Sequence, residues 1–366
     1  GIALGMVAEG AMGLIAPLMA LVPPLLLRKQ WRAFADARMW IAAPIIALLL
    51  LPMCVGLYQQ FGMHGLRFFL WDQSFGRITG TNRWQDDSSP FYFTHEILWL
   101  LLPWTLFALV GLWKDLRSWI RSRADGPPEL ISICGALGVL AIMSLSHYKL
   151  PHYIYPVVPL LCVVAAREAQ RAGKWLIHLQ NALMVLLLLG TGWFAKDALG
   201  DDGFFWSAGV GVVALVVVVL WFSRVKKGAL VLITLVSAIA CALVLNTGIY
   251  PRLLEYQANA EIGKWIRDNE ADVSQLIGFR NGGAALDFYA GAEVRWVNGI
   301  EEMRALVHEG SIVYADMDGL GELERAGLVP TRSSLHVDYP IQTLSFDFLG
   351  EGTRTDVLNK RYLLFY

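Results

Sequence analysis

Residues Ser144–Pro156 read SLSHYKLPHYIYP, and how this stretch is read decides the fold. It joins two apolar runs, Leu130–Leu145 and Tyr153–Ala166, and carries two histidines, one lysine, three tyrosines and two prolines. A tight turn between two membrane spans needs polar groups and a proline. It does not need His147, Tyr148, Lys149, His152, Tyr153 and Tyr155 together. Cations and phenols at the mouth of a helix bundle suit an anionic lipid head group, because an ammonium and backbone freed by proline can both meet phosphate oxygens. The same residues would also serve as an interfacial belt, where Tyr and Lys are favoured.

Working outward, the whole chain has the composition of a polytopic membrane protein. Of its 366 residues 56% are hydrophobic and only 17% charged, with a mean hydropathy of +0.48; soluble domains carry roughly 25% charge. A net charge of −1 implies no nucleic-acid partner. Cys54, Cys134, Cys162 and Cys241 fall in apolar runs without metal or disulfide spacing. The chain opens on Gly1 inside an apolar segment, without an initiator Met, a basic leader or a cleavage site, which reads as a fragment lacking its N-terminal part.

Eight segments are apolar enough to count as spans: approximately Ile2–Leu27, Met39–Leu57, Ile97–Trp113, Leu130–Leu145, Tyr153–Ala166, Trp175–Phe194, Phe204–Phe222 and Gly228–Tyr250. The connections at 28–38, 114–123, 167–174 and 224–227 hold fourteen Lys and Arg, against five in those at 59–96, 147–152 and 195–203. The first set is therefore cytoplasmic. An even number of spans places residues 251–366 on the outer side with Lys149, the periplasm of a Gram-negative cell. The expected organisation is a helical membrane domain over 1–250 and a periplasmic α/β domain over 251–366.

Glu9 is the single ionisable residue of the first span. A carboxylate there costs several kcal/mol unless paired or wetted, so it usually faces a cavity. In the loop at 59–96, an aromatic stretch, Leu66–Trp71, is fit to lie along the interface. It is followed by Asp72, Arg77, Asp86, Asp87, His95 and Glu96. Arg77 is a phosphate candidate because its planar fork matches phosphate oxygens. Asp86 and Asp87 with His95 and Glu96 offer ligands for a divalent metal ion, although an Asp pair also suits a helix cap and a solvated turn. Beyond Pro251, apolar strand-like and helical runs alternate: strands at 275–279, 293–297 and 311–315, helices at 283–290, 300–308 and 320–326, with Leu344–Phe348 and Arg361–Tyr366 read as final strands. This pattern argues a small α/β domain.

The motifs FFLWDQSFGRITG, SSPFYFTHEILWLLLPWTLF and KLPxYxxP, the last carried by Lys149, Leu150, Pro151, Tyr153 and Pro156, resemble the latter part of the ArnT-like and protein-O-mannosyltransferase-like membrane glycosyltransferases of GT-C fold (glycosyltransferase families 39 and 83). The likeness in motifs covers roughly residues 1–170. It implies transfer of a sugar from a polyprenyl-phosphate donor to a lipid, protein or glycan acceptor, at the periplasmic face of the bacterial inner membrane. It matches Arg77, Lys149 and Tyr153 to donor-phosphate contacts; Glu9, Asp72, His147 and His152, read from the chain itself, are further candidates for the cavity. The family's catalytic acid lies ahead of the position of Gly1, and Glu9-Gly10 stands where the family often has Lys-Gly. Two other classes remain: a transporter or flippase, which should show internal repeats or paired broken helices, and a non-catalytic envelope scaffold.

Overall fold

The structure, a computed structural model, describes the chain except for residues 74, 81–88, 122–128, 224–226, 270, 341–344 and 351; the side chains of Arg77, Asp201, Ser223, Lys227 and Phe346 are also outside the description. The chain divides into two compact units, Gly1–Gln180 with Val225–Leu230, and Asn181–Arg224 with Val231–Tyr366.

The first unit is helical, and its helices are shaped by glycine. The expected first span is two helices, α1 (Ile2–Glu9) and α2 (Met12–Leu27). Gly10, at φ 63°, ψ −142°, adopts backbone angles that a side chain disfavours. The chain folds back there, so that a Cβ on Gly13 would lie 2.2 Å from the Gly5 carbonyl carbon and the Met6 nitrogen. Residues eight apart in a straight helix would be about 12 Å apart. The next helix, α3 (Ala37–Arg67), is capped by Asp36, whose side chain accepts from the Arg38 N–H. It repeats the device: Gly62 at φ 61°, ψ −151° interrupts the helix, and a Cβ on Gly65 would meet the Leu57 carbonyl oxygen at 2.8 Å. The sequences are GAMG at 10–13 and GMHG at 62–65. Residues read as the start of an outer loop at 59 are therefore helical through Asp72, ending in a π turn, Phe68–Asp72.

A short helix α4 (Phe75–Thr79) and helix α5 (Tyr92–Leu100) follow, then α6 (Thr105–Arg121), α7 (Leu130–Ser144) and α8 (Val157–Arg171). The expected span Ile97–Trp113 is thus broken between α5 and α6. The Pro103 carbonyl in that break accepts a 2.8 Å hydrogen bond from Gln180 Nε2, so the interruption leaves no orphan acceptor at that point. Gly135 and Gly138 on α7 let α2 approach at Ala20 and Met19, and Gly111 on α6 touches Val164 on α8. The α6–α8 contact carries two ion pairs, Lys114 with Glu168 and Asp115 with Arg167, whose acids are both buried. The core centres on Phe93, Phe107, Val139, Ile154 and Val157.

Helix α9 (Lys174–Ala198) continues into the second unit, joined by α10 (Gly203–Ser223) and α11 (Lys227–Leu243), which runs on through a π turn into α12 (Tyr250–Leu253). Among the described residues four helical stretches are long and apolar enough to cross a membrane: Ala37–Asp72, Lys174–Ala198, Gly203–Phe222 and Gly228–Tyr256. Met12–Leu27 and Leu130–Ser144 are shorter apolar helices.

The rest of this unit is an α/β fold: α13 (Ala258–Asp268), β1 (Leu276–Phe279), α14 (Ala284–Ala290), β2 (Arg295–Val297), α15 (Ile300–Leu306), β3 (Ile312–Asp316), α16 (Met317–Arg325), β4 (Arg332–Asp338), α17 (Phe346–Leu349) and β5 (Asn359–Phe365). The sheet order is β2-β1-β3-β5-β4, with β2, β1 and β3 parallel and β5 antiparallel to both its neighbours. LIGF in β1 is buried throughout, as a central parallel strand requires. One expectation is corrected here, and one strand is new. The described part of Leu344–Phe348 is helical from Phe346 onward, with Ser345 hydroxyl accepting from the Phe348 N–H. Strand β4, with its sequence RSSLHVD, was not anticipated.

Candidate active-site cavity

The SLSHYKLPHYIYP stretch is a compact turn. After α7 ends at Ser144, Ser146 folds the chain on itself, its hydroxyl donating to the Tyr148 carbonyl at 2.9 Å. Pro151 then starts a single 3-10 turn, Pro151–Ile154, its fixed φ suiting that position. Ile154 and Val157, both fully buried, anchor the turn to the core. These anchors hold the His152 ring edge-on to Tyr153, with centroids 4.7 Å apart.

Beside this turn lies a cavity of about 350 Å³. Its polar lining is Glu9, Gln73, Ser146, His152 and Tyr153; Ala8, Met12, Ile78 and Met143 complete it. Each polar group is placed by a feature already described. Glu9 is the last residue of α1, brought to the wall by the fold-back at Gly10. Gln73 follows the π turn beyond the Gly62 interruption, and Ile78 comes from α4. The α4 end is docked on the turn by Gly80, at φ 70°, whose missing Cβ would lie 3.0 Å from the His147 ring.

Of the residues singled out in the sequence, Glu9, His152 and Tyr153 therefore meet in one cavity, and His147 sits against Gly80 at its edge. Lys149 is buried in the same turn, 8% exposed, and is not among the described residues that line the cavity. Arg77 has its backbone in α4, next to the lining residue Ile78, while its side chain lies outside the description. Asp72 pairs with Arg67 at 3.6 Å. Asp86 and Asp87 lie outside the described residues. His95 Nδ1 is 3.8 Å from Glu96, and its Nε2 accepts from the Trp99 indole at 3.3 Å. Among the described residues no group of three His, Cys, Asp or Glu is placed to hold a metal ion. Gln73 and Ser146 were missed as site residues. The available signal was their position next to Asp72 and inside the turn motif.

Apolar helices long enough to cross a membrane and a five-stranded α/β fold later in the chain give this protein the fold of a helical membrane protein of GT-C type. No protein-family model matches the chain. In sequence it is similar to the undecaprenyl phosphate-alpha-4-amino-4-deoxy-L-arabinose arabinosyl transferases of Pseudomonas paraeruginosa, 27% identical over 212 residues, and Pseudomonas aeruginosa, 28% identical over 215 residues. Each alignment takes in 55% of this chain and 37% of the relative, so the chain spans little more than a third of those relatives' length. In fold it is similar to ArnT from Cupriavidus metallidurans bound to undecaprenyl phosphate, with a TM-score of 0.67 at 17% identity, covering 99% of this chain and 67% of that one. The apo state of the same protein gives a TM-score of 0.66, again at 17% identity, over 93% and 65%. The resemblance to ArnT-like glycosyltransferases read from the motifs is thus met in both sequence and fold.

Proposed function

We propose that this chain is the donor-binding part of a membrane glycosyltransferase that moves a sugar from a polyprenyl-phosphate carrier to a lipid, protein or glycan acceptor. The observation that carries the reading is the cavity itself: two segments far away in sequence, at residues 8–12 and 73–78, line it together with the KLPxYxxP turn. Charge bias assigns the connections at 59–96 and 147–152 to the same outer side. The reaction is accordingly placed at the periplasmic face of the bacterial inner membrane, with residues 251–366 on that side. The names of the relatives and the lipid phosphate bound in the solved structure support a polyprenyl-phosphate donor.

In this mechanism Tyr153 donates a hydrogen bond to a phosphate oxygen from the cavity wall. Lys149 and Arg77 supply positive charge from the turn and from α4. These groups oppose the negative charge that grows on the departing polyprenyl phosphate as the glycosidic bond opens. Deprotonating an acceptor hydroxyl is the task of a carboxylate base.

The test is release of polyprenyl phosphate by the full-length gene product in detergent, given a panel of polyprenyl-phosphate sugars and outer-membrane lipid or protein extract. Removal of one preorganised charge-stabilising group lowers turnover about a hundredfold or more, and that loss is expected for Lys149→Ala and for Arg77→Ala. Near-normal release by both variants would sink the phosphate assignment. No release with any sugar, from folded protein, favours transport or scaffolding.

A further inference from the structure

We propose that the sheet of the second unit binds a neutral saccharide in the crevice at the carboxyl ends of β1 and β3. The inference stands apart from the transferase reading. In an open α/β sheet a ligand crevice forms outside the carboxyl ends of the strands, where successive connections leave for opposite faces. Helices α13 and α14 pack on one face of this sheet, through Ile262, Leu286 and Ala290, and α15 and α16 on the other, through Met303 and Leu323. The chain runs from β1 to α14 and from β3 to α16, so the two connections part between neighbouring strands.

Glycine shapes the β1 side of this crevice. Arg280 stands at a left-handed φ of 57°, uncommon for a residue with a side chain and a form of strain that collects at binding sites. The loop after it, Asn281-Gly282-Gly283, rests on Trp296: a Cβ on Gly282 would meet the indole at 3.2 Å, and one on Gly278 would lie 1.9 Å from it. A Cβ on Gly283 would lie 2.5 Å from the Asn259 amide nitrogen, so the start of α13 abuts the loop. Across the end of β3, Arg361 reaches Asp316 and Asp338 at 3.5 and 3.6 Å. A pocket of about 470 Å³ opens there, walled by Asp316, Asp318, Asn359, Lys360 and Arg361.

The chemistry of this rim selects the ligand. Its charges answer one another: Arg280 Nη1 is 2.6 Å from Glu322, Arg361 is held between two acids, and the pocket wall carries two acids and two cations. An ion would meet its own sign as readily as its opposite. What the crevice leaves open is hydrogen bonding. Asn259 Oδ1, Asn281 Nδ2 and Arg361 Nε, one acceptor and two donors, are buried with no hydrogen-bond partner among the described residues. Buried polar atoms of this kind are ordinarily paired. A sugar hydroxyl both donates and accepts, so a saccharide serves both kinds of atom and brings no charge to neutralise.

The test uses the full-length protein in lipid nanodiscs, free of sugar-headed detergent. Maltotriose, triacetylchitotriose and glucose are titrated by calorimetry beside the charged analogues glucosamine and glucuronate. The neutral sugars should bind, and Asn259→Ala and Asn281→Ala should each raise Kd about two- to tenfold, the worth of one neutral hydrogen bond. In the wild type, a bound trisaccharide should slow amide exchange at residues 258–260 and 279–284, a readout that needs no variant should either one fail to fold. No binding of any neutral sugar at millimolar concentration overturns the inference. Tighter binding of glucosamine or glucuronate than of glucose overturns it too, as does an unchanged Kd in both folded variants. Protection confined to residues 145–156 would place the sugar in the helical cavity and overturn it as well.

Discussion

At the scale of single residues, the phenols of the sheet domain carry a pH signature. Tyr366 is half-buried and donates to the Leu328 carbonyl at 3.2 Å. Burial, with Glu324 nearby, pushes its phenol from 10 up to about 12. Tyr314, buried in the centre of the sheet, is pushed up further by the same desolvation. A raised pKa means that the folded state favours the neutral phenol. That stabilisation is complete below pH 10 and is lost as pH rises from 10 toward 12. The thermal midpoint of the solubilised protein should therefore fall across this window. Tyr366→Phe should start about 1 kcal/mol less stable at neutral pH, for the lost hydrogen bond, and should fall less steeply with alkali. An unchanged slope would show that Tyr366 does not titrate as its burial implies. Asp115 and Arg167 make a different residue-level test. Asp115→Asn leaves a buried guanidinium, whose Nε and Nη1 have no hydrogen-bond partner among the described residues, without its counter-charge. Breaking such a pair costs about 3–5 kcal/mol, whereas replacing both members by leucine and methionine is close to neutral. Chemical denaturation of the two variants in detergent distinguishes these outcomes.

At the scale of elements, the two Gly-x-x-Gly elbows decide where the cavity's polar groups go. The first glycine of each supplies backbone angles that disfavour a side chain, and the second gives up its Cβ so that the returning chain can touch the arm before it. Gly13→Ala would place a methyl 2.2 Å from backbone atoms of Gly5 and Met6, which cannot yield as a side chain would. Overpacking of this kind costs about 1–3 kcal/mol. The variant should melt lower and lose donor release, because α1 carries Glu9. Gly190→Ala on α9, where a methyl meets nothing within 4 Å, should be neutral or slightly stabilising, and equal effects of the two would refute the elbow. These elbows also mark the limit of what the sequence revealed. Hydropathy reads the amount of apolar surface, not its direction, so Ile2–Leu27 looked like one span. Glycine is common in membrane helices, and nothing local separates GAMG from a glycine that merely lets helices approach. The KLPxYxxP turn was legible for the opposite reason: its residues are chemically out of place in a connector. Glu9 was legible as an isolated carboxylate, while Gln73 was hidden because an amide beside a loop draws no attention.

At the scale of the whole chain, Arg354 is the clasp of the second unit. Its guanidinium donates to the Phe348 and Leu349 carbonyls at 2.9 and 3.2 Å and to the Tyr256 hydroxyl at 3.3 Å, and reaches the Ala198 carbonyl at the end of α9 at 3.5 Å. It also lies over the Tyr256 and Phe348 rings, at 5.6 and 5.7 Å. One side chain thereby ties the end of a membrane helix, the segment after α12 and the α17 loop. Arg354→Ala should leave the sheet folded but loosen these attachments, seen as faster amide exchange in residues 250–257 and 346–354 than in β1 and β3. Uniform exchange across the unit would remove Arg354 from this role. Alternation of strand and helix made β1 to β3 readable ahead of the structure, because buried parallel strands are continuous apolar runs. Strand β4 escaped because RSSLHVD carries its polarity along an exposed sheet edge. That placement has a consequence in time. β5 lies between β3 and β4 but follows both in the chain, so as the polypeptide emerges β4 has no strand to pair with until β5 threads into the gap. A hydrophobic strand left waiting would seek a neighbouring molecule; a polar one can wait in water. The composition that concealed β4 from a reader of the sequence is what keeps a half-built sheet from sticking to the next one.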